Sequence, residues 1–239
     1  MNKPLTDRQT QIIKALIDEY IETAEPVGSA SLEKKYNLGI SPATIRNEMV
    51  NLTKLGYLRQ PHTSAGRTPT SIAMKFYINQ LMDEKKMSVV DEVQAKEGVW
   101  DARENFDKLM DKATFELADK TKSLAVAATD DGTTWAHGHS LIFECPFTLD
   151  VFQNIFSILE SRDMVKKLFF EHLTGLTPIE VIFGEELGWD FFDPVGIVAT
   201  RFSTQGHEGA IGVIGPMRLN YQTVIPVVRY FRDLIQGLE

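Results

Sequence analysis

Arg46 and Asn47 stand side by side in the segment SPATIRNEMVNLTKLG, residues 41–56. Arginine can pair bidentately with the edge of guanine, and asparagine with the edge of adenine, in the major groove of DNA. The neighbouring Ala43 and Thr44 are small enough to allow close approach to a duplex. The segment therefore predicts a surface that reads base edges. For an isolated helix, a plain solvated face would be the preferred alternative.

Local signals place these residues on a helix. Ser41 is a favoured N-cap, Pro42 suits the first helical position, and Gly56 supplies a C-terminal stop. The apolar residues at helical spacing form a stripe on the opposite side: Ile45, Met49, Leu52 and Leu55. The sequence thus predicts an amphipathic helix whose polar side faces away from the core.

Two further helices are predicted before this one. Thr6 and Gln9 have the spacing of a capping box, and the helix that follows is expected to end near Thr23. A short helix is predicted over 30–36, and a tight turn over 37–39. A helix, a short helix, a turn and a capped helix in this order predict a helix-turn-helix.

A hairpin is predicted directly after the helix-turn-helix. Residues 57–60 and 67–70 predict two short strands around the loop 62–66, with Arg67 at the tip. Alone, the hydroxyl residues and glycine would be ordinary turn residues, but beside a recognition helix they predict a wing that contacts phosphates or the minor groove. The predicted DNA-binding residues are Ser29, Ser31, Ser41, Ala43, Thr44, Arg46, Asn47, Arg59, His62, Ser64, Gly66 and Arg67.

The composition is that of a globular protein with an uneven charge distribution. The 239 residues are 43% hydrophobic and 24% charged, with a net charge of −8. Residues 1–82 carry 10 Lys and Arg against 7 Asp and Glu, a balance of +3, and the rest carries 15 against 26, a balance of −11. No apolar run is long enough to span a bilayer. The single cysteine, Cys145, excludes an internal disulfide framework and favours a reducing, cytoplasmic compartment.

The rest of the chain predicts an α+β domain. Residues 83–98 are expected to form a linker and 99–122 one long helix. Strands are predicted over 123–129, 179–183, 196–202 and 209–214, and helices over 150–159, 163–172 and 221–238. No parallel βαβ rhythm is present, which favours a sensor-like α+β architecture.

No constellation in the sequence predicts catalysis, a cofactor or a metal site. His137 and His139 with Cys145 match no common zinc spacing, and Cys145 has no recognisable base, so a small buried thiol is the preferred interpretation. The glycines of 212–216 lack the lysine and hydroxyl residue of a phosphate loop. We therefore expect a protein that is not an enzyme.

Seven motifs together resemble the family of heat-inducible transcription repressors HrcA. They are LTDRQ (5–9), EPVGS (25–29), SPATIRNEM (41–49), LGYL (55–58), QPHTSAGR (60–67), VIFGEE (181–186) and GVIGPMRLNY (212–221). The resemblance implies a winged-helix DNA-binding domain over 1–82, the linker over 83–98, and a GAF-like regulatory domain over 99–239.

The resemblance also implies partners. Family members are expected to act as homodimers on an inverted-repeat operator in double-stranded DNA ahead of chaperone genes, and to be kept active by a GroEL-type chaperonin. The predicted strand 123–129 runs almost directly into 130–133, so the dimerising domain inserted in other members is expected to be missing. The candidate dimer surfaces are then helix 99–122 and the body. The alternative is a regulator that responds to a small molecule bound in the GAF-like domain.

Overall fold

The structure is a computed structural model that describes residues 4–189 and 191–238. The chain divides into two compact units, which we call the head (Met1–Asp83) and the body (Glu84–Glu239). Together they contain helices and a five-stranded antiparallel sheet, so the predicted α+β class is confirmed.

The head consists of four helices and a pair of very short strands. In order these are α1 (Asp7–Thr23), α2 (Ser29–Lys35), α3 (Pro42–Lys54), β1 (Leu58–Arg59), β2 (Thr68–Pro69) and α4 (Ser71–Gln80). Helices α1, α3 and α4 each begin after a serine or threonine whose hydroxyl caps the first turn. Thr6 and Gln9 form the predicted capping box, Ser41 Oγ accepts from Thr44 N at 3.2 Å, and Thr70 caps α4.

The apolar stripes of these helices meet in one small core. The fully buried members include Ile12, Ile13, Leu16, Ile17, Leu32, Ile45, Leu52, Ala73, Met74 and Tyr77. Two polar contacts close the core's edge, since Tyr77 Oη donates to Asp18 Oδ1 at 2.5 Å and Lys14 Nζ donates to the Leu81 carbonyl at 2.8 Å. Packing between α1 and α3 thus fixes which side of α3 faces outward.

The body is built on the sheet β4-β3-β7-β6-β5, in which every neighbouring pair is antiparallel. Its strands are β3 (Leu124–Thr129), β4 (Thr134–His137), β5 (Glu180–Phe183), β6 (Val195–Thr204) and β7 (His207–Pro216). Its helices are α5 (Val89–Trp100), α6 (Phe106–Thr121), α7 (His139–Ile142), α8 (Leu149–Glu160), α9 (Arg162–Lys166, continued by a π-helical turn at Lys167–Glu171), α10 (Gly184–Leu187) and α11 (Tyr221–Gln236).

Both faces of the sheet are covered. On one face, Leu124, Val126 and Ile197 belong to a buried cluster that also contains residues of α7, α8 and α9, among them Ile155 and Phe169. Helices α6 and α11 also pack against strands of the sheet, and their residues are not part of that cluster. The long apolar runs of β3, β6 and β7 follow from this double burial, because a strand covered on both faces needs no polar alternation.

Two expectations for the body differ from the structure. The helix predicted over 99–122 is two helices, since Asn105 Oδ1 accepts from Lys108 N at 3.0 Å and starts α6 afresh. The expected linker, 83–98, contains most of α5, whose Ala95 and Val99 are fully buried. The N-cap at Asn105 therefore breaks the expected long helix, and the buried apolar face of α5 makes the expected linker part of the body.

The connection between β3 and β4 is as short as the sequence predicts. Four residues, 130–133, join the strands, and Asp131 Oδ1 accepts from Thr129 Oγ1 at 2.6 Å and from Thr133 N at 2.9 Å. These hydrogen bonds hold the pKa of Asp131 down at about 2. A closed turn occupies the place where the resemblance puts the inserted domain of that family.

Candidate nucleic-acid interface

Helix α3 separates its apolar and polar residues cleanly. Ile45, Met49 and Leu52 are buried in the head core. The exposed residues of the helix are Pro42, Ala43, Arg46, Asn47, Val50, Asn51 and Lys54. Thr44 is half-buried, and its hydroxyl lies 3.0 Å from Ser41 Oγ at the cap. The outer face of α3, defined by Ala43, Arg46, Asn47 and Asn51, is therefore open to solvent over its whole length.

Arg46 and Asn47 have no side-chain partner within residues 4–189 and 191–238. The neighbouring carboxylate is held elsewhere, because Gln9 Nε2 donates to Glu48 Oε2 at 3.1 Å and Arg8 lies 3.8 Å from Glu48 Oε1. Glu48 is the single acidic residue in 42–67, a stretch that also carries four Lys and Arg. The outer face thus presents hydrogen-bond donors and positive charge, which suits a polyanion with exposed acceptors.

The loop between β1 and β2 is closed by one side chain. Gln60 Nε2 donates to the Thr63 carbonyl at 2.9 Å and to the Ala65 carbonyl at 3.0 Å. His62 and Ser64 are exposed on this loop. Gln60 was not among the predicted site residues, and nothing in the sequence signals that it bonds to main-chain atoms across the loop.

Arg67 lies at the base of the hairpin, not at its tip as the sequence suggested. Its backbone pairs with Val27 through two hydrogen bonds of 2.8 Å, and its Nε donates to Thr53 Oγ1 at 3.1 Å. A Cβ on Gly66 would lie 2.4 Å from the Val27 carbonyl oxygen, so only glycine fits there. Arg67 and Gly66 thus fasten the hairpin to the segment before α2 and to the end of α3.

Two other predicted site residues also have intramolecular partners. Arg59 Nε donates to Thr68 Oγ1 at 3.3 Å across the strand pair. Ser31 Oγ donates to Glu19 Oε1 at 3.4 Å, whereas Ser29 is half-buried at the first position of α2. The hydroxyl and guanidinium groups of Ser31 and Arg59 therefore contribute to the head's own structure.

Glu19 is the centre of the contact between α1 and α2. It is 7% exposed, and its carboxylate also accepts from Tyr36 Oη at 3.3 Å and pairs with Lys35 Nζ at 2.7 Å. The hydrogen bond from Lys35 keeps the pKa of Glu19 below its usual value, and burial raises the pKa of Tyr36 to about 12. An acidic residue on the inner side of α1 was the available sequence signal, and sequence reasoning missed it.

Comparison with known proteins settles the family. The model of the HrcA protein C terminal domain matches residues 47–225, about three quarters of the chain. This chain belongs to the HrcA family. The heat-inducible transcription repressor HrcA of Carboxydothermus hydrogenoformans is 41% identical over 127 residues, 53% of this chain and 37% of that protein. The HrcA of Symbiobacterium thermophilum is 52% identical over 84 residues, 35% of this chain and 25% of that protein. The matches thus span between a quarter and two fifths of these relatives.

A solved structure shares the fold of this HrcA family member. A protein described as hypothetical, in a crystal structure at 2.2 Å resolution, superposes with a TM-score of 0.79 over 98% of both chains at 18% identity. At that identity the likeness concerns the fold alone.

The two histidines and the cysteine noted in the sequence, His137, His139 and Cys145, each have separate surroundings in this HrcA family member. His137 Nε2 lies 2.8 Å from Asp111 Oδ1, whereas His139 stacks on Phe156 with ring centroids 6.0 Å apart. Burial raises the pKa of the half-buried Cys145. Within the described residues, no group of three or more His, Cys, Asp and Glu could hold a metal ion, and no helix there is both long and apolar enough to cross a membrane.

Proposed function

We propose that this chain is a sequence-specific DNA-binding repressor whose head is a winged helix-turn-helix domain, residues 1–82. The observation that carries the proposal is the outer face of α3, where Arg46 and Asn47 are exposed and have no side-chain partner in the part of the chain that the structure describes. Both side chains can therefore exchange their hydrogen bonds to water for hydrogen bonds to a ligand. The names of the HrcA relatives, heat-inducible transcription repressors, support the same function.

In the proposed complex, α3 lies in the major groove. Arg46 and Asn47 pair with base edges, Thr44 adds a hydroxyl contact, and Ala43 allows the backbone to approach the duplex. Ser41 contributes at the N-terminus of the helix, where exposed N–H groups attract phosphate. The base contacts of Arg46 and Asn47 determine which sequence is bound, whereas the phosphate contact at Ser41 positions the helix.

The hairpin β1–β2 is the proposed wing. Its exposed His62 and Ser64 contact phosphates or the minor groove, and Ser29 contacts the backbone from the start of α2. Arg59 bonds across the strand pair and stabilises the wing. Arg67, Gly66 and Ser31 serve mainly by fixing the position of these elements, because their groups already bond within the head. Phosphate contacts position the head but carry no sequence information.

We further propose a homodimer on an inverted-repeat operator ahead of chaperone genes, with the body as its GAF-like regulatory part. A single head offers few phosphate contacts, and two heads on one operator raise affinity through effective concentration. A GroEL-type chaperonin is the proposed protein partner. These statements rest on the family to which the chain belongs.

The proposal is tested by footprinting the purified chain on DNA taken from upstream of its own genome's chaperone genes. We expect two protected half-sites, an affinity that falls steeply with salt, and a dimer by light scattering at micromolar concentration. Protection without sequence preference would contradict the proposed base reading. A monomer that binds only half-sites would contradict the proposed dimer and leave the base reading intact.

A further inference from the structure

An open cavity of about 370 Å³ lies in the body where three of its elements meet. It is lined by the segment before α5, by the end of α6 and by the first turns of α11. Four lysines contribute to the lining. We call this site the lysine cavity and define it by Lys85, Lys86, Lys120 and Lys122.

The charge of the lysine cavity runs against that of the body around it. Residues 84–239 carry 15 Lys and Arg against 25 Asp and Glu, a balance of −10. The residues that line the cavity carry four cations against two carboxylates, those of Asp91 and Asp119. Since an acidic surface repels anions at long range, a local excess of positive charge inside a concave site is the feature that would retain one.

The two carboxylates at the cavity are engaged by two of the lysines. Lys120 Nζ donates to Asp91 Oδ1 at 2.8 Å and to Gln94 Oε1 at 3.1 Å. Lys122 Nζ donates to Asp119 Oδ1 at 2.6 Å. The bond to Asp91 raises the pKa of Lys120. Both carboxylates at the cavity are thus paired with a lysine.

The other two lysines follow a backbone hydrogen bond and an ion pair that tie this segment to α11. Lys85 N donates to the Gln222 carbonyl at 2.8 Å, and the preceding Glu84 forms a bidentate pair with Arg229 at 2.6 and 2.8 Å. Among the described residues, the ammonium groups of Lys85 and Lys86 have no partner. The cavity thus presents two lysine side chains without an ion-pair partner among the described residues, on a segment that is bonded to α11.

We propose that the lysine cavity binds a small molecule bearing phosphate groups. Lysine ammonium groups bind phosphate as point charges, and phosphate oxygens can accept from several of them together. The volume lies within the range of pockets that hold small molecules. This site belongs to the body and goes beyond the DNA contacts proposed for the head.

The test is calorimetric titration of inorganic pyrophosphate into the full chain in the absence of DNA. We expect saturable binding at one site per chain that weakens as ionic strength rises. The double variant Lys85→Gln/Lys86→Gln should bind pyrophosphate about tenfold more weakly, since it removes two of the cations that pair with the phosphate oxygens.

The matched control is Lys108→Gln/Lys112→Gln, which removes the same charge from exposed positions of α6 outside the cavity. Its affinity for pyrophosphate should stay within twofold of the parent chain, and circular dichroism should show both variants folded. Equal weakening in the two variants would overturn the proposal, because diffuse charge would then explain the binding. The absence of saturable binding to the parent chain would overturn it as well. DNA binding by the head is measured in a separate experiment, and its result does not depend on whether the cavity binds pyrophosphate.

Discussion

The outer face of α3 and the base of the hairpin carry similar chemistry but differ in how it is used. On α3, Arg46 is exposed and has no side-chain partner within the described residues. At the hairpin base, Arg67 is half-buried and donates to Thr53, and its backbone pairs with Val27. An arginine can therefore be a candidate for contacting bases or can stabilise the fold, and the presence of an intramolecular partner distinguishes the two roles.

The largest effect is expected from Gly66→Ala at the hairpin base. The added Cβ would lie 2.4 Å from the Val27 carbonyl oxygen, so the hairpin must shift away from the segment before α2. We expect a loss of about 1–3 kcal/mol in the free energy of unfolding of the head, measured by urea denaturation. Gly28→Ala is the matched control, since a Cβ there meets nothing within 4 Å, and a cap substitution of this kind should cost less. Similar losses of unfolding free energy in both variants would show that the close approach of Gly66 to Val27 does not make this position more sensitive.

Arg67→Ala should reduce stability and DNA affinity together. It removes the hydrogen bond to Thr53, at a cost of about 1 kcal/mol in the free energy of unfolding, and loosens the contact between hairpin and α3. DNA affinity should then fall alike for every sequence. Thermal denaturation with Arg46→Ala as the companion variant checks this, because Arg46→Ala should leave the melting temperature unchanged. A melting temperature lowered equally by both variants would remove the distinction between the two regions.

Gln60→Ala should open the hairpin loop with a smaller effect. Two hydrogen bonds to main-chain carbonyls are lost at an exposed site, which should cost about 0.5–1 kcal/mol. Hydrogen exchange of the amides in 61–66 should become faster, and exchange in α3 should not change. Gln80→Ala removes the same side chain from the exposed end of α4 and serves as control. Unchanged exchange in the loop of Gln60→Ala would show that other contacts hold it.

The smallest effect concerns pH and the contact between α1 and α2. The pKa of Glu19 is lowered in the folded head from an ordinary value of 4.5, so its contribution to stability is present above that value and is lost as pH falls below it. We expect Glu19→Gln to flatten the decline in the free energy of unfolding between pH 6 and about pH 3. Glu33→Gln, on the exposed side of α2, is the control. A parallel decline in Glu19→Gln and the parent chain would contradict the assigned role.

Local signals in the sequence account for the elements that present the candidate site. The Ser41 cap, the proline after it and the apolar spacing of α3 are short-range features, and each appears in the structure as predicted. The strands β3, β6 and β7 follow equally from their apolar runs. The exposed positions of Arg46 and Asn47 follow from this local pattern.

Contacts between distant parts of the chain could not be predicted in this way. The pairing of Val27 with Arg67 and the bond from Ser31 to Glu19 depend on how α1, α2 and the hairpin pack. The break between α5 and α6 was missed because apolar spacing continues through the cap at Asn105. The lysine cavity is lined by residues from 85–91, 119–122 and 223–227, and only the folded body brings them together.

The most direct test of the account compares the affinities of Arg46→Ala and Arg67→Ala for the footprinted operator and for a scrambled duplex of equal length, by fluorescence anisotropy at one salt concentration. The account predicts that Arg46→Ala lowers the ratio of the two affinities, losing about 1–3 kcal/mol on the operator and little on the scrambled duplex. Arg67→Ala should weaken both duplexes alike and preserve the ratio. Equal, sequence-independent losses in the two variants would contradict the claim that the outer face of α3 reads base edges.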